Sequence, residues 1–134
     1  MTRYAFFALP IAAIAAACFP KVDPPLAEIP KLATLDDVMH GNETLGSKLW
    51  GFSGDASHTD AEWATIKDLG TRMGALAERS KNFSRGEIFD KHAANMITQT
   101  GNLVTAADAK DAKAATVAID SMKQLCKDCH STTR

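Results

Sequence analysis

Cys126, Cys129 and His130 fall within five positions, in the string CKDCH. Two thiols and an imidazole at that spacing can do three kinds of chemistry: thiol–disulfide exchange, zinc binding, or covalent attachment of haem. Zinc needs four tetrahedral ligands. The rest of the chain offers only His40, His58, His92 and the distant Cys18, with no second ligand pair at finger-like spacing. A redox thiol works best at a helix N-terminus, where the dipole favours the thiolate. Here the motif ends a helical pattern, at the wrong pole, and no βαβ pattern surrounds it. Haem attachment meets neither objection. In C-x-x-C-H the two thiols add across the porphyrin vinyl groups, and the histidine becomes the proximal iron ligand.

The motif must be held by its helix. At 100° per residue, Ile119, Met122, Cys126, Cys129 and His130 lie within an arc of about 100°. The sequence therefore predicts that the thiols and the imidazole project together into a core seam. Four amphipathic helices are predicted. The first runs from Leu35 to Leu49, with Thr34 as N-cap. After a break at GFSGDASH (residues 51–58), the second opens on the capping box TDAE at Thr59 and ends near Arg79. A second capping box, SRGE from Ser84 to Glu87, opens the third. DAKD (108–111) is a turn with acidic caps. The fourth helix runs from Ala112 to His130. The predicted fold class is all-α, an antiparallel up-down-up-down four-helix bundle with covalently bound haem.

Composition agrees. All five prolines lie at or before Pro30, so the rest of the chain is free of the residue that most disrupts helix interiors. The 134 residues allow one small domain, and the formal charge of −1 leaves no basic footprint for nucleic acid. No Ser-His-Asp arrangement, nucleotide loop or paired-acid site stands out, so no enzyme is expected.

Residues 1–17 have the pattern of a secretory signal: Arg3, an apolar stretch, then small residues. The string IAAAC resembles a bacterial lipobox with Ala15 in place of the usual leucine, which implies lipidation of Cys18. Phe19 in place of aspartate points to the outer membrane. An ordinary cut after the alanines, leaving Cys18 unmodified, is the alternative. Either cut leaves 14 basic and 16 acidic side chains, a formal charge of −2. Residues 18–31 read as a proline-rich extended linker, whose thirteen residues from Phe19 reach roughly 40 Å. The four-helix domain is expected over 32–134.

CKDCH near the end of a four-helix chain resembles the class II cytochromes c, the cytochrome c′ and c-556 group. The resemblance covers about residues 32–134, and its only sharp motif is Cys126, Cys129 and His130. It implies one haem c per chain, held by the last helix within the bundle, with the first helix covering its distal side. It implies electron transfer with redox partner proteins of the periplasm, and members often form homodimers. No separate interface stripe is visible here.

Within that group the sixth iron position divides electron carriers, which have a first-helix methionine, from five-coordinate proteins that bind nitric oxide or carbon monoxide. This chain has Met39 and His40 adjacent. Met39 lies about 60° from the centre of the apolar stripe, and His40 about 160° away, towards solvent. Met39 is thus the candidate distal ligand, and it matches the position of the c-556-like methionine. Met39 as core filler, with no sixth protein ligand, is the competing reading. Many members carry an arginine one turn earlier, near a haem propionate. Here that position is Leu35, with no Lys or Arg between Lys31 and Lys48. Trp50, Trp63, Phe52, Phe83 and Phe89 are expected in the core, His58 in solvent, and His92 as a satisfied structural histidine.

Overall fold

The computed structural model describes residues 23–132, and every regular element among them is helical. The expectations for the signal, Cys18 and the lipobox lie outside these residues. Four helices follow the predicted limits closely: α1 (Leu35–Leu49), α2 (Asp60–Ser80), α3 (Glu87–Ala109) and α4 (Ala112–Thr132). Short 3₁₀ turns follow α1 (Trp50–Phe52) and α2 (Lys81–Phe83).

The helix starts have separate local causes. At α1, the Thr34 hydroxyl accepts from the Asp37 N–H at 3.1 Å, and Asp37 accepts from the Thr34 N–H at 3.1 Å. Thr59 and Glu62 form the same reciprocal box at α2. The box expected at SRGE does not form. Gly86 is the N-cap of α3, at φ 107°, a conformation that disfavours any side chain. This puts Glu87 at the first helical position, so it cannot reach back to Ser84 as a third-position partner. The Ser84 hydroxyl instead accepts from the Gly86 N–H. Asp111 caps α4 by accepting from the Ala114 N–H at 2.9 Å.

Each helix buries its apolar stripe against its sequence neighbour: α1 on α2, α2 on α3, α3 on α4. That is the neighbour relation an up-and-down bundle requires. The core takes Val38, Leu45 and Leu49 from α1, Ile66, Leu69, Met73 and Leu76 from α2, Leu103 from α3, and Ile119 and Met122 from α4. α1 and α4 are not a closely packed pair. That gap matters below. No described helix is long and apolar enough to cross a membrane.

The extended conformation expected through Lys31 does not hold for its second half. Leu26–Lys31 form a 3₁₀ turn packed on α2, and Ile29 is 1% exposed. Pro25 sits at the N-cap, where a missing N–H costs nothing. Asp23 pairs with both Lys48 and Arg72, and the Arg79 guanidinium donates to the Leu32 carbonyl. Proline content alone reads as a spacer. Ile29, the buried residue of this turn, is what holds it on the bundle, while Leu26 stays exposed.

Candidate functional site

The last two turns of α4 leave the core. Met122 is fully buried, Cys126 and Cys129 are half-buried, and His130 is exposed. The expectation that the whole arc points into the core is therefore corrected. The arc runs from core at Ile119 to a cavity mouth at His130. The final turn is held by the Ser131 and Thr132 hydroxyls, which both donate to the Asp128 carbonyl at 2.8 Å. Both are back-bonds from a hydroxyl to a carbonyl three or four residues earlier in the same helix.

The cavity has a volume of about 600 Å³ and draws on all four helices. α4 lends Leu125, Cys126, Cys129 and His130. α1 lends Met39, His40 and Asn42 from the opposite side. α3 supplies Phe89, His92, Ala93 and Met96, and α2 closes the end with Ala77 and Ser80. The space thus lies where α1 and α4 stand apart. Its size is in the range of a site for a large organic ligand. Trp50 forms part of the wall against Gly46. A Cβ at position 46 would come within 2.7 Å of the indole ring, so the close approach requires glycine.

Met39 is half-buried and packs against the core cluster while also lining the cavity. The helical-wheel separation of the two α1 candidates holds only in part. The His40 side chain is 43% exposed, but it lines the cavity too, with its Nδ1 3.4 Å from Asp36 Oδ2. The wheel takes no account of the gap beside α1, which makes the flank of that helix a wall.

Burial pushes the Cys126 thiol above its usual range, with the nearby Cys129 adding to the rise. A thiol held protonated is a poor resting nucleophile, which weighs against redox exchange. Among the described residues no three His, Cys, Asp or Glu side chains converge as a metal site.

Two other histidines depart from expectation. The His58 side chain is 1% exposed, with its ring edge-on to Trp63 at 4.6 Å and to Phe52 at 5.7 Å. It belongs to the aromatic packing under the loop before α2, not to solvent or the cavity. His92 is in the cavity wall, and its buried Nδ1 has no hydrogen-bond partner, so it is not a satisfied structural histidine. Asn42, one turn beyond Met39, likewise has a buried and unpartnered Oδ1. Each such atom costs about 1–3 kcal/mol unless something in the cavity meets it. Asn42 carried a signal in the sequence, as a polar residue on an otherwise apolar stripe. His92 carried a weaker one, at the edge of its stripe.

The wall fits a haem by its donor set. Two thiols and an imidazole from α4 and a thioether from α1 border one largely apolar space, and unpartnered polar atoms await an occupant with polar edges. Of the aromatics expected in the core, Trp63 and Phe89 are buried, while Trp50, Phe52 and Phe83 are half-buried. Phe89 and Trp50 serve the cavity wall.

No curated protein and no solved structure matches the chain. The family model described as Cytochrome C' matches residues 68–134, which is half of the chain and runs from within α2 through CKDCH to the end. The chain belongs to the Cytochrome C' family.

Proposed function

We propose that the protein is a c-type cytochrome that carries single electrons in the bacterial cell envelope, in an antiparallel four-helix bundle with one covalent haem. One observation carries this reading: Met39 borders the same cavity as Cys126, Cys129 and His130, from the opposing helix. Cys126 and Cys129 would form the thioethers, His130 the proximal iron ligand and Met39 the distal one. When bound, haem supplies an iron that exchanges one electron between ferric and ferrous forms. The chain's part is to set the balance between them. A methionine thioether opposite an imidazole favours the ferrous form, and the apolar wall of Phe89, Ala93 and Met96 excludes water and acts in the same direction. The exposed His130 marks where the site reaches the surface, as electron exchange with a redox partner requires. No substrate turnover is involved.

The runner-up is a five-coordinate protein that binds nitric oxide or carbon monoxide. The family description favours it, and Met39 is only half-buried. The family match begins at residue 68, so it does not reach Met39 on α1. The test is the absorption spectrum of envelope-matured protein, oxidised, reduced, and reduced with carbon monoxide. A low-spin spectrum with a methionine–iron charge-transfer band, unmoved by carbon monoxide, is expected. Met39→Leu should abolish that band and admit carbon monoxide. A high-spin wild-type spectrum that shifts with carbon monoxide would replace the electron carrier with the gas-binding protein.

The same proposal places the protein in the periplasm. Residues 1–17 act as a lipoprotein-type signal, and a lipid on Cys18 holds the chain to the outer membrane, near its redox partners. The folded unit would begin before residue 32, since Asp23–Lys31 pack on α1 and α2.

A further inference from the structure

We propose that His92 of α3 and Asn42 of α1 bind the propionate carboxylates of the haem through hydrogen bonds from neutral donors. The inference rests on the haem reading above, including its iron ligand pair of His130 and Met39.

Four buried side-chain polar atoms without a partner stand out among the described residues, and two of them, His92 Nδ1 and Asn42 Oδ1, belong to the cavity wall. The other two belong to His58, in the aromatic cluster under the loop before α2. The wall around His92 and Asn42 is mostly apolar, so the protein offers these atoms little. A haem is apolar over most of its surface. Its polar features are the iron's axial positions and the two carboxylates. In the proposed ligation His130 and Met39 take the axial positions. The carboxylates remain, and they need donors.

Charge decides what kind of donor. The α1 side of the cavity carries Asp36 and Glu43, and Lys127 on α4 is the one Lys or Arg in the lining. α1 has no Lys or Arg between Lys31 and Lys48, and its His40 lies beside Asp36. A carboxylate entering beside α1 therefore meets acids, and neutral donors must hold it. His92 can donate through Nδ1–H in the corresponding tautomer. Turning the Asn42 amide by half a turn exchanges Oδ1 for the donor Nδ2, at the same place. Hydrogen bonds to an ionised carboxylate are roughly twice as strong as neutral pairs, which suits a site with few cations.

The test uses the envelope-matured holoprotein and four chains: wild type, His92→Leu, Asn42→Leu and His92→Gln. Resonance Raman scattering reads the propionate bending bands, and redox titration reads the ferric–ferrous balance. Each leucine variant should shift a propionate band. Each should also move the balance several-fold towards ferric, because a carboxylate stripped of a donor places more negative charge near the iron. His92→Gln, which keeps a donor amide, should recover most of both signals. Unmoved propionate bands in both leucine variants would overturn the proposal. So would a change confined to the axial-ligand absorption and EPR signals, which would assign His92 to the iron. A wild-type protein without a covalent haem chromophore would overturn the haem reading itself, and that result is visible before any variant is made.

Discussion

At the scale of single residues, small polar side chains set the helix ends, and two of them differ in a testable way. Thr59 closes a reciprocal box with Glu62, whereas Ser84 accepts only from the nearby Gly86 N–H. Thr59→Ala should cost about 1 kcal/mol in urea unfolding, and Ser84→Ala clearly less. The carboxylates around these ends share one electrostatic direction. The Thr34 hydroxyl holds Asp37 below the usual carboxylate range, the Thr59 N–H and then its hydroxyl do so for Glu62, and Lys110 does so for Asp60. Lys48, then Arg72, lower Asp23. A carboxyl whose folded pKa lies below its unfolded value stabilises the fold above the unfolded value. That stability is lost as pH falls through the folded one. Thermal midpoints should therefore hold from neutrality down to about the unfolded carboxyl value near 4, then fall as the pH drops further. These groups are exposed and paired at the surface, so each contributes a small step, and the loss should be spread out over pH.

At the scale of elements, the segment before α1 separates two pictures of the chain. As a bare spacer, residues 23–31 would tolerate any substitution. As part of the fold, they bury Ile29 against α2 and are tied down by Arg72, which meets the Asp23 carboxylate and the Pro24 carbonyl. Ile29→Ala should cost about 2–5 kcal/mol, the range for truncating a buried aliphatic side chain. Chemical denaturation of the mature protein reads this directly, and a change near zero would return the segment to a spacer. The same logic places α1. It packs on α2 but stands off from α4, and that gap is where the thiols, the imidazole and Met39 border one space.

At the scale of the whole molecule, the proposed tether would set where the protein works, and the cavity what it holds. A lipid on Cys18 would keep the bundle at the outer membrane, and Cys18→Ser should release it to the soluble envelope fraction with its haem spectrum unchanged. Retention of the variant in the membrane fraction would remove the lipid anchor from the proposal. The match to the Cytochrome C' family runs from within α2 through α4 and does not reach α1, so it carries no statement about Met39.

What the sequence determined by itself was local. Helical periodicity, the absence of proline after residue 30 and the Thr34 and Thr59 boxes were enough to set the four helices within a residue or two. The spacing of Cys126, Cys129 and His130 was enough to point towards haem attachment, because that chemistry depends on positions a few residues apart. Only the tertiary structure decided which sides of those helices face one another. Wheel angles put His40 in solvent and the whole α4 arc in the core, yet a gap between α1 and α4 makes cavity wall of His40 and of the arc's end at Cys126, Cys129 and His130. His58 looked like a loop residue until Phe52 and Trp63 closed over it. His92 and Asn42 became distinctive only once their polar atoms were seen to be buried without partners. Burial and hydrogen-bond satisfaction depend on residues far apart in the chain, so periodicity along one helix cannot supply them.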